Sequence, residues 1–164
     1  MDLELTESNI LEKIDFNHLD ELSKDKIKEV ISIFEKSMLE GEQIEIPIKH
    51  QFSKNLYARE MTVQKGSLIV GKIHKHQNMS IISKGEVSVL SIDGEMRIKA
   101  PHTFVSNPGV KRLIYAHEDT VWTTVHATEE TDIDKIEEEL IAKDYSEVEE
   151  INLTLTTEVK KCLL

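Results

Sequence analysis

The chain has 164 residues, of which 39% are hydrophobic and 31% charged, with 20 Lys and Arg set against 31 Asp and Glu for a formal net charge of −11. That length and balance fit one globular domain with appendages and a sizeable core. The acidic surface excludes broad binding to a nucleic acid polymer, which needs a basic face, but not a small anion held by a few local cations. Residues 1–22 are polar and acidic, with one short turn expected at Asp15-Phe16-Asn17-His18-Leu19. From Ser23 the spacing of Ile27, Val30, Ile31, Phe34 and Met38 predicts an amphipathic helix, capped by Ser23 and ended by Gly41 in the left-handed conformation. Short strands are then expected at 45–48, 57–63, 67–76, 79–83, 86–92, 95–99, 103–106, 111–116 and 120–126. Turn residues separate most of them: Gln64-Lys65-Gly66, Lys84-Gly85, Asp93-Gly94, Asn107-Pro108-Gly109 and His117-Glu118-Asp119. Eight or more strands at such even spacing point to a β-sandwich or barrel. Helical periodicity returns in Ile133, Ile136, Leu140 and Ile141, with Thr131 or Asp132 as cap. In the tail, Ile151, Leu153 and Leu155 alternate with polar residues and predict one added strand.

His74-Lys75-His76 carries the clearest chemical signal. On the strand expected at 67–76, residues i and i+2 share a face, so both imidazoles point the same way and Asn78 continues that face. Two converging ring nitrogens can hold a metal, a phosphate or a carboxylate.

The series Gly66, His74-Lys75-His76, Gly85, Asp93-Gly94 and Asn107-Pro108-Gly109-Val110-Lys111-Arg112 resembles the two motifs of the cupin superfamily over residues 45–127. The resemblance implies an all-β core, a cupin-like jelly-roll β-sandwich or barrel with a site inside it, flanked by N-terminal and C-terminal helices. The corresponding division is an N-terminal helical extension at 1–42, the barrel at 43–127, and a C-terminal helix and tail at 128–164. The stretches Tyr57-Ala58-Arg59-Glu60 and Ala116 to His126 are also similar to small cupin-like proteins of bacteriophages, which implies a host-cell setting and no settled activity.

The departures from the family pattern open two readings of one site. His74 and His76 match its first two metal ligands, but Ser80 or Ile81 stands near the expected glutamate and Arg112 at the third histidine. Arg112 stays protonated and has no lone pair to give a metal. His126 on the last strand can supply a third nitrogen, so one expectation is a metal-dependent enzyme (an isomerase, dioxygenase or lyase) holding Fe, Mn, Ni or Zn through His74, His76 and His126. The other is a binding cavity without catalysis, in which Arg112 grips a polar or anionic ligand, in its finer form a nucleotide-type one, beside His74, His76 and His126, with Asn78, Arg59, Tyr57, Trp122 and Lys72 contributing. A phage protein sequestering a host signal is its most specific form. A third class is a structural or virion-associated protein with a vestigial pocket.

The remaining candidates have plainer readings. His18, His50, His102 and His117 are expected to be ordinary surface residues, and Glu137-Glu138-Glu139 a solvated helix face. The single cysteine, Cys162, excludes an intrachain disulfide framework and fits a reducing cytoplasm. The acidic start has no leader pattern, and no apolar run approaches the ~20 residues of a membrane span. The helix stripe and the tail stripe exceed what one small barrel needs, so a homo-oligomer is expected. No catalytic residue is identifiable.

Overall fold

A computed structural model describes residues 23–148. Its elements in chain order are helix α1 (Lys24–Leu39), strands β1 (Ile48–Ser53), β2 (Leu56–Val63), β3 (Leu68–Val70), β4 (Ile73–His74), β5 (Asn78–Lys84), β6 (Glu86–Ser91), β7 (Gly94–Lys99), β8 (His102–Ser106), β9 (Leu113–Ala116) and β10 (Thr120–Ala127), helix α2 (Ile133–Leu140) and strand β11 (Ile141–Ala142). One sheet has the order β1-β2-β10-β5-β8 and the other β3-β9-β6-β7, all neighbours antiparallel; β4 and β11 form a separate two-stranded ribbon. Strands β2-β10-β5-β8 facing β3-β9-β6-β7 are the two sheets of an eight-stranded jelly roll. The fold is a cupin-like jelly roll with flanking helices. No helix among the described residues is long and apolar enough to cross a membrane.

Turn chemistry sets the register. Gly94 takes φ 101° opposite Ser91 and closes the β6–β7 hairpin where Asp93-Gly94 predicts one. An unanticipated hairpin turns at Lys54-Asn55, with Asn55 at φ 60°, and joins β1 to β2. The expected strand at 45–48 lies instead at Ile48–Ser53. Its side chains do not alternate in burial, so the sequence carries little periodic signal there.

Apolar positions of the two inner faces interlock at one end of the sandwich. Val63, Ile82 and Trp122 from the first sheet meet Val87, Val89, Ile98, Ile114 and Ala116 from the second. Helix α1 lays Ile27 and Ile31 on Leu90 and Leu113, with Val30, Phe34 and Met38 packed alongside. Its stripe therefore covers the protein's own barrel, and an oligomer is not needed to bury it. Ser23 caps the helix by accepting from the Lys26 amide. Gly41 does not provide a left-handed end: the last cap is Glu40 at φ −80°, and the Gln43 amide donates to the carbonyls of Met38 and Gly41. Asp132 caps α2 through the Asp134 and Lys135 amides. The helix expected from Ile133, Ile136, Leu140 and Ile141 stops at Leu140, because Ile141 and Ala142 pair with His74 and Ile73. The tail stripe at 151–155, the turn at 15–19, His18 and Cys162 lie outside the described residues.

Candidate functional site

The inner face of the larger sheet changes chemistry along each strand. On β2 the inward positions run Tyr57, Arg59, Met61, then Val63; on β10 they run His126, Thr124, then Trp122; on β5, Asn78 and Ser80 precede Ile82. The apolar ends fill the core. The polar ends, with Arg112 and Ile114 from the other sheet, line a cavity of about 450 Å³, within the usual range for small-molecule sites. Helix α2 borders it through Ile133, Ile136 and Leu140, which also pack on Tyr57. Lys72 and Glu137 pair beside this border, and Lys75 Nζ donates to the Glu138 carbonyl at 2.9 Å, a cation at the helix C-terminus.

Of the residues singled out from the sequence, His74, Asn78, Arg59, Tyr57, Trp122, Arg112, His126 and Lys72 all line this one cavity. His76 does not. The strand expected at 67–76 is interrupted: the Gly71 amide makes the last bond of the β3–β9 register, to the Arg112 carbonyl at 2.8 Å, and pairing resumes at Ile73–His74 with β11. Residues 75 and 76 then bend, so strand alternation no longer applies and the His76 side chain is exposed. His50, expected to be an ordinary surface residue, lines the cavity and pairs its Nδ1 with the Tyr57 hydroxyl at 2.8 Å. The ring sequence His50, Tyr57, His126, His74 is continuous, with centroid separations of 5.9, 6.1 and 4.9 Å. The expected solvated face of α2 contributes Glu137 to the rim. What hid His50 and β1 was the absence of alternation; the paired strand Tyr57-Ala58-Arg59 was their only pointer.

The cavity is rich in positive and latent positive charge. The Arg112 guanidinium donates to Ser106 Oγ at 2.9 Å and stands 5.4 Å from the Phe104 ring centroid. Burial lowers its pKa, opposed by the Asp93 charge, and it stays protonated. Neither Arg112 nor Arg59 forms an ion pair among the described residues. Burial, then the charges of His126, Arg112 and Arg59, pushes His74 down to about 4. Burial, then Arg59 and His76, pushes His126 down to about 4. Both imidazoles are neutral at pH 7. The Tyr57 phenol is raised by burial, with Arg59 opposing.

The donor set does not fit a metal. Among the described residues no three His, Cys, Asp or Glu side chains are grouped to hold one. The expected trio of His74, His76 and His126 is not assembled, because the chain bends at His76; Arg112 adds a repelling charge.

No protein-family model matches the chain, and no curated protein matches it. Among solved structures it is similar to KdgF from a Halomonas species (16% identity, TM-score 0.47, covering 57% of this chain and 90% of that one). It is also similar to an uncharacterized Klebsiella pneumoniae protein with a double-stranded β-helix domain (16% identity, TM-score 0.46, 56% and 84%). A third is a conserved Streptococcus pyogenes protein of unknown function (20% identity, TM-score 0.44, 55% and 80%). These likenesses are distant, and the strand order above is what defines the fold.

Proposed function

We propose that the protein binds a small organic anion in the barrel cavity without catalysing a reaction on it. The observation that carries this reading is the pair of guanidiniums, Arg59 and Arg112, lining one cavity of about 450 Å³ with no ion-pair partner among the described residues. Two fixed positive charges gathered in one cavity, in a chain of net charge −11, favour a negative guest. A guanidinium fork suits phosphate or carboxylate. The apolar residues Ile46, Ile48, Met61 and Ile69 offer contact to the rest of the molecule, so an organic anion fits better than a bare ion. A nucleotide-type ligand, held in the cytoplasm of the producing or infected cell, is the specific form supported by the ring wall of Tyr57 and His126.

Trp122 is the chain's single tryptophan and lines the cavity, so its fluorescence responds to a ligand bound there. Titration with adenosine monophosphate, glucose 6-phosphate and sulfate is expected to give a saturable change with at least one of them. A flat response to all three, with the fold intact, overturns the reading.

A further inference from the structure

The Asn78 carboxamide touches the cavity histidine in a way that decides what the histidine can bind. Its Nδ2 lies 2.7 Å from His74 Nδ1 and 3.5 Å from the His76 carbonyl oxygen. An amide nitrogen only donates, so Nδ1 is the acceptor, and the proton of the neutral ring sits on Nε2. The reversed amide would set two oxygens, Oδ1 and that of His76, against each other. It would also leave an N–H in the place now held by Oδ1, which has no partner among the described residues. Asn78 is only 5% exposed, and its carboxamide bonds to His74 Nδ1, so it has little room to turn.

A metal-binding histidine needs the opposite arrangement. The ligating nitrogen must offer a lone pair, and the other ring nitrogen donates its N–H to a carboxylate or carbonyl. Here Nδ1 is occupied by a donor, and Nε2 is left as an N–H. Arg112 and Arg59 both lie within electrostatic reach of this ring and repel a divalent cation.

We propose that Asn78 sets the ligand class of this cavity: by donating to Nδ1 it presents His74 as an N–H donor, so the site takes an oxyanion in place of a transition metal. This rests on the anion-binding reading of the same cavity and makes Asn78 a positioning residue acting through His74. The oxyanion is the acidic group of a phosphate or sulfate monoester or a carboxylate; all three accept the same N–H and guanidinium donors.

The direct test is the nitrogen-15 NMR spectrum of the His74 ring in the unmodified protein at pH 7, assigned by comparison with His74→Gln. The expected signature is a protonated Nε2 and an unprotonated Nδ1; the reverse overturns the proposal. That result is independent of whether any chosen anion binds, so it can fail separately from the function proposed above. The second test is Asn78→Asp, whose carboxylate would accept from Nδ1–H and free the Nε2 lone pair. Nickel affinity, read by calorimetry, should rise by about 10- to 100-fold over the unmodified protein, the scale of such supporting contacts. Sulfate affinity, read by Trp122 fluorescence, should fall at least about tenfold. The neutral Asn78→Ala separates tautomer from added charge. Its ring signals should shift toward a mixture of tautomers, and sulfate binding should weaken severalfold. Unchanged ring signals in folded Asn78→Ala, or unchanged nickel affinity in folded Asn78→Asp, would overturn the assignment.

Discussion

Acidification should destabilise this protein through two histidines, before its carboxylates matter. His74 and His126 are both pushed from 6.5 down to about 4 in the folded state. The unfolded chain therefore takes up protons near pH 6.5 while the folded chain does not. Stability is fully present above about pH 6.5 and is lost as pH falls toward 4, where the folded state begins to protonate as well. A depression from 6.5 to about 4, at 1.36 kcal/mol per unit, corresponds to roughly 3 kcal/mol for each ring. The rings stand 4.9 Å apart and titrate together, so the total is about 3–6 kcal/mol, not two independent losses. That is a large fraction of a typical domain's stability. Urea unfolding followed by Trp122 fluorescence at pH 8, 6.5, 5.5 and 4.5 measures it. His74→Gln/His126→Gln should flatten the profile between pH 6.5 and 4.5. A profile already flat in the unmodified protein, or an equal acid loss in the double variant, refutes the reasoning.

Arg112→Ala should weaken a bound anion by about 1.5–3 kcal/mol, or about 10- to 150-fold, as for the loss of a charge-assisted hydrogen bond; titration of both proteins with the same anion checks it. Ile31→Ala should cost about 2–5 kcal/mol of stability by chemical denaturation, because this fully buried side chain joins α1 to the barrel. Gly85→Ala should cost about 2 kcal/mol or more in the same assay: Gly85 has φ +94°, and an added Cβ would lie 2.6 Å from the Asp119 carbonyl oxygen and 2.7 Å from Thr120 Cα.

Most strands were legible because turn chemistry and two-residue alternation report the same geometry. Asp93-Gly94 closes a hairpin, and the inward residues of β2, β5 and β10 follow from alternation. That periodicity also brings Tyr57 with Arg59 and Trp122 with His126 into one cavity. It failed where the backbone departs from a strand. The bend at residues 75 and 76, just after β4, carries His76 off the face that His74 occupies. β1 was misplaced because its side chains are almost all exposed. The surface that receives the α1 stripe, the barrel's own outer face through Leu90 and Leu113, is not visible in sequence. Alternation put Asn78 on the face of His74, and the two do meet, but across a bend that alternation does not describe.

The central claim is that Arg59 and Arg112 make this cavity an anion site. Calorimetric titration of adenosine monophosphate, glucose 6-phosphate and sulfate into the unmodified protein and into Arg59→Gln/Arg112→Gln tests it most directly. Saturable one-to-one binding of at least one anion, lost in the folded double variant, is the predicted result. No heat of binding for any of them up to millimolar concentration, or equal binding by both proteins, would contradict it.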